Sequence, residues 1–135
     1  MKKTPTLAIA TLCALAGAPV YAHHSFAMFD KSEKVLHGTV RDFQWTNPHI
    51  WIQLDTTDAS GKSVEWSIEG NSPSVLSRQN WTKRTVNIGD VLTITIHPLK
   101  DGRNGGDLVK IVTADGKVIG NGNKPTDVDG DAAKK

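Results

Sequence analysis

The feature that most constrains the fold is a two-residue alternation that runs through HIWIQLD, residues 49–55, and returns in VEWSIEG, residues 64–70. In the first run Ile50, Ile52 and Leu54 share one face of an extended chain, and His49, Trp51 and Gln53 share the other. In the second, Val64, Trp66 and Ile68 take the apolar face while Glu65, Ser67 and Glu69 take the polar one. A helical period would scatter both sets around an axis, so the two runs predict a hairpin joined by the loop DTTDASGK. Both inward sets are even-numbered, so opposed residues carry numbers summing to an even value of about 118 to 120. That register puts His49 near Glu69, and Gln53 near Glu65 or Ser67, all on the outer face.

The neighbouring segments extend this pattern. An earlier strand, about Val35 to Trp45, keeps Leu36, Gly38 and Val40 on one parity but Phe43 and Trp45 on the other, which a bulge near Arg41-Asp42 reconciles. Thr46-Asn47-Pro48 breaks the run. After Gly70, Ser72 stands as an N-cap and Pro73 as the first residue of a short helix carrying Val75, Leu76 and Gln79. Ile88-Gly89-Asp90 turns into the β-branched strand VLTITIHPL. DGRNGG is then a loop, and DLVKIVTADGKVIG a further strand with a small Asp-Gly hairpin. The order strand, strand, strand, short helix, strand, strand is that of an all-β chain. It fits a small five-stranded, partly open barrel of OB-fold type, with the helix between strands 3 and 4. A plain antiparallel sheet with a packed helix is the alternative.

The two ends have a different character. Lys2 and Lys3, the apolar run Leu7 to Ala18 and Val20-Tyr21-Ala22 read as a signal peptide, residues 1–22, cleaved after Ala22 and directing the chain to the periplasm. The apolar run is too short for the roughly 20 residues of a bilayer-spanning helix, so the mature protein is expected to have no transmembrane segment. Cys13, the one cysteine, leaves with that segment. The formal charge of +2 is carried by Lys2 and Lys3, so the mature chain is neutral and lacks the field that nucleic acid binding requires. The barrel with its N-terminal arm is expected over residues 23–120, and 121–135 as a disordered tail without apolar anchors. The tail's DVDGD has its glycine before the third aspartate and no following glutamate, which excludes a calcium loop.

Cleavage after Ala22 would leave His23 as the first residue, offering an α-amine and an imidazole together. With a second imidazole, from His24 or from His49, this makes a nitrogen set suited to copper first and to zinc or nickel next. His49 and Glu69 would sit side by side, a carboxylate able to fix the imidazole tautomer. Trp51, Glu65 and Glu69 are the candidate ligand-binding residues of the outer strand face. The segment SFAMF has too much apolar area to leave in water and is expected to fold back over Trp51. No Ser/His/Asp arrangement, phosphate loop or zinc-finger spacing is present, so no catalytic residue is assigned.

AHHSFAMFD, GTVRDFQWTNPHIWIQLD, VEWSIEGNSPSVLSRQNWT and IGDVLTI, in this order, resemble an exported bacterial family known as domain of unknown function 6152. The resemblance rests on His23, His24, Trp45, Asn47, Pro48, His49, Glu65, Trp66, Glu69, Gly70, Ser72 and Pro73. It implies export and a small β-rich domain, but no reaction. Three functions compete: a periplasmic module holding a metal ion, copper above all, through His23, His24 and His49; a non-metal module taking a small molecule, glycan or protein on the outer face of strands 2 and 3; and an enzyme, for which no second catalytic group is evident.

Overall fold

The computed structural model describes residues 26–121. A 3-10 turn at Phe26–Met28 leads into six strands and one helix: β1 Lys34–Gln44, β2 Trp51–Thr57, β3 Ser63–Glu69, α1 Pro73–Ser77, β4 Val91–Pro98, β5 Gly105–Thr113 and β6 Val118–Gly120. The strands lie in the order β3-β2-β1-β4-β5-β6, and a parallel pairing of β3 with β5 closes the first five into a barrel. This is the OB-type barrel, with α1 between β3 and β4. β6 extends the sheet beyond β5 through the Asp115-Gly116 turn, where Gly116 has φ +86°.

The hairpin register follows from the alternation. β2 and β3 pair antiparallel with Ile52 opposite Ile68, Leu54 opposite Trp66 and Gln53 opposite Ser67. Ile52, Leu54, Trp66 and Ile68 are buried in the core with Ile94, Ile96 and Leu108. Fully burying side chains of this size contributes about 1.5–3 kcal/mol each. The hairpin strand β2 runs to Thr57, so the loop is shorter than DTTDASGK. Asp58 organises it by accepting from the Ser60 and Lys62 amides.

The β1–β2 register shifts between Val40 and Asp42, which leaves Arg41 as the bulged residue. The helix starts as its cap chemistry dictates: Ser72 Oγ accepts from the Val75 amide at 3.4 Å and Pro73 opens the helix. Leu76 alone of α1 is buried, and Trp81 follows it into the core, its Nε1 donating to the Gly120 carbonyl at 3.0 Å. Gln79 is exposed.

The closing seam is short: Ser67 opposite Gly105, Ile68 opposite Gly106 and Glu69 opposite Asp107. Gly106 has to be glycine, since a Cβ there would lie 2.6 Å from the His97 carbonyl oxygen. Asn121 locks the same region. Its Nδ2 donates to the Leu108 carbonyl, its Oδ1 accepts from the Asn71 amide, and its carbonyl accepts from Asn71 Nδ2. These bonds tie the exit of β3 to β5 and account for a buried amide at the edge of the core.

Candidate functional site

The arm and the β3–β5 seam together make a cleft. Phe29 forms a β-bridge with Leu99, the Asp30 amide donates to the Pro98 carbonyl at 2.8 Å, and the Lys100 amide donates to the Met28 carbonyl at 3.0 Å. Lys100 Nζ also reaches the Ala27 carbonyl at 2.7 Å. Met28 and Phe29 are thereby fixed as one side of a cleft of about 390 Å3, with Trp51, Ser67, Glu69 and Leu99 among its other lining residues. The volume lies within the roughly 300–1,000 Å3 of small-ligand sites. The arm therefore packs toward Trp51, as its apolar content requires, but it does not seal the indole, which stays half-buried.

A lateral row of paired residues begins at this cleft with Trp51 and Glu69, which line it, and continues away from it to Asp107 and His97. Trp51 is opposite Glu69, Glu69 is opposite Asp107, and Asp107 is opposite His97. His49, at the entry to β2, brings its Nδ1 onto Glu69 Oε1. Glu69 is only 7% exposed although it lies on the outer parity, because the seam and the arm cover it. Its Oε2 has no hydrogen-bond partner among the described residues. No buried polar side-chain atom there lacks a partner, so this oxygen is open to the cleft that Glu69 lines. Ser67 Oγ accepts from Gln53 Nε2 at 3.1 Å and keeps its own proton to donate.

The row is electrostatically loaded. Burial, followed by the Glu69 carboxylate beside it, pushes the Asp107 carboxyl up to about 6, against weaker opposing effects from His97 and His49. His97 Nδ1 lies 3.1 Å from the Ser32 carbonyl, a second tie between the arm and β4. At the rim, Arg103 Nε is matched by Asp101 Oδ2 at 2.8 Å.

Of the residues singled out by sequence, Trp51, Glu69 and His49 come together here. Glu65 does not: it stands opposite Asp55, and the guanidinium of the bulged Arg41 pairs with both. His23 and His24 lie outside the described residues, as do residues 1–22 and the tail from 122. Among the described residues no group of three or more His, Cys, Asp or Glu side chains is arranged to hold a metal ion, and no helix is long and apolar enough to cross a membrane. Asp107, Met28 and Asn121 were not singled out from sequence. Nothing in the period of β5 signals that its first residues pair with β3.

Comparison with known proteins gives three results. A family model described as "Family of unknown function (DUF6152)" matches residues 11–109. No curated protein sequence matches the chain. Among solved structures, the mitochondrial single-stranded DNA binding protein Rim1 from S. cerevisiae is similar with a TM-score of 0.45 and 12% identity. The match covers 67% of this chain and 96% of that one. A likeness at that level carries no argument about ligands.

Proposed function

The chain belongs to the family of unknown function DUF6152, which assigns no activity, and from the site itself we propose that it is an exported, periplasmic small-ligand-binding module. Its ligand occupies the cleft between the outer face of β2–β3 and the N-terminal arm. The observation that carries this reading is the pairing of Trp51 with Glu69 inside the cleft. An aromatic plate stands beside a nearly buried carboxylate with one oxygen open. A few convergent polar groups in a mostly apolar hollow are the usual make-up of a ligand site. OB-type barrels bind on this face. Export is supported by the leader-like residues 1–22.

The test is saturation-transfer NMR with a panel of a hexose, an apolar dipeptide, an aromatic amine and an aromatic acid. At least one is expected to bind saturably to the native chain and to lose most of its affinity in Trp51→Ala. Binding by none, or binding indifferent to Trp51→Ala, contradicts the proposal.

A second reading, copper held by His23 or His24 with His49, draws on a different observation. Met28, four residues after His24 in sequence, lines the cleft together with Glu69, and His49 stands on Glu69. Titration of protein beginning at His23 with Cu(II) tests it. Affinity is expected to fall in His49→Ala and in the double variant His23→Ala with His24→Ala, and unchanged affinity in either removes this reading.

A further inference from the structure

The cleft has a charge preference written into its base. Glu69 and Asp107 are opposed carboxylates at the end of the β3–β5 seam, and Trp51 flanks Glu69 on the other side. The row sets two carboxylates side by side, with His49 on one oxygen of Glu69 and His97 opposite Asp107. Arg103, the one basic residue among the described lining residues, is already matched by Asp101 and is mostly in solvent. The open Oε2 of Glu69 belongs to a residue more than nine-tenths buried. Open to the cleft, that oxygen is available to accept from a donor on a bound molecule.

Resting on the small-ligand reading above, we infer that the ligand is an organic cation: an amine or quaternary ammonium carried on an apolar body. The positive group sits between the Trp51 ring and the Glu69 carboxylate, with Asp107 behind it. An indole face attracts such a cation through its quadrupole, and more strongly where water is partly excluded. The apolar body lies against Met28, Phe29 and Leu99. Ser67, with a hydroxyl proton to donate, and Asn104 at the rim allow a polar substituent on that body. An anion of the same shape would face the Glu69 carboxylate, with Asp107 next to it in the seam, and is rejected.

Another cleft, among the described residues, supplies an internal contrast. It is about 540 Å3, its lining includes Trp81, Ile119, Arg84 and Lys117, and the one acid among its described lining residues, Asp115, is engaged by Thr113 Oγ1. Its charge favours anions, so it does not compete for the same ligand.

The test is isothermal titration at pH 8 with three probes of one shape: phenethylamine, phenethyl alcohol and phenylacetate. The amine is expected to bind roughly tenfold more tightly than the alcohol, the size of effect that a partly desolvated cation–π contact and its carboxylate supply. The acid is expected to bind least. Glu69→Gln should bring the amine down to the alcohol's affinity. Because a buried variant can perturb folding, Asp107→Asn is measured beside it and should weaken the amine selectively. If the alcohol or the acid binds as tightly as the amine, the charge assignment is overturned while the cleft reading survives. If no probe binds and the hexose and dipeptide also fail, both are overturned.

Discussion

Trp51 and Glu69 are direct cross-strand neighbours, a half-buried indole on β2 beside a carboxylate on β3 that the seam and the arm have almost covered. Each is on the outer parity of its strand, where solvent would be expected. The arm makes that patch concave, and the seam adds Asp107 to it. Four consequences can be measured.

Asp107→Asn should stabilise the protein at neutral pH and not at acid pH. The folded carboxyl is raised from 3.8 to about 6, so the fold binds its proton more tightly than the unfolded chain does. Ionising it therefore removes stability as pH rises from about 4 through about 6. Calorimetry at pH 7.5 is expected to show the variant melting a few degrees higher, on the order of the ~4–8 °C per kcal/mol of small domains. The difference should vanish near pH 4. An equal shift at both pH values would mean that Asp107 acts through something other than its charge.

Arg41→Ala should expose a like-charge pair. Asp55 and Glu65 face each other in the β2–β3 register, and the bulged Arg41 sits on both. The expected loss in urea unfolding is about 0.5–1 kcal/mol, since the groups are half-exposed. Adding Glu65→Gln should recover most of it, and a double-mutant cycle with no coupling would contradict the assignment.

Asn121→Ala should cost about 2–3 kcal/mol by leaving the Asn71 amide and the Leu108 carbonyl without their partners. Chemical unfolding measures this. A cost below about 0.5 kcal/mol, the level of an ordinary surface change, would show that solvent replaces the side chain easily.

Met28→Lys tests the arm as a wall of the site. Met28 is 39% exposed, so stability should hardly change. A positive charge set there should weaken an amine probe by roughly tenfold by repulsion in a partly shielded cleft. Unchanged affinity would place the amine elsewhere.

Much of this was legible in residues whose signals are local and periodic. The even-numbered apolar faces of β2 and β3 allowed only registers near the observed one, in which Trp51 meets Glu69 and Gln53 meets Ser67. His49 lies one diagonal step from Glu69, and its imidazole spans that step. The parity switch in β1 located the bulge, and Ser72-Pro73 located the helix start. The seam was not legible. Three parallel pairs between strands far apart in sequence leave no periodic trace, so Asp107 could not be placed beside Glu69. Asn121 was hidden for a related reason: a polar residue after the last apolar one reads as tail until its hydrogen bonds to Asn71, Leu108 and Val109 are known. The arm was foreseen only as apolar area seeking cover, whereas backbone bonds to Pro98 and Lys100 decide where it lies.

The most direct test of a ligand site at Trp51 and Glu69 is a residue-resolved NMR titration of the chain with phenethylamine. The account predicts saturable shifts concentrated at the Trp51 indole N–H and the amides of Met28, Ser67, Glu69 and Gly106, with the Trp81 indole unmoved. Shifts centred on Trp81 and the β5–β6 turn, or none that saturate, would contradict it.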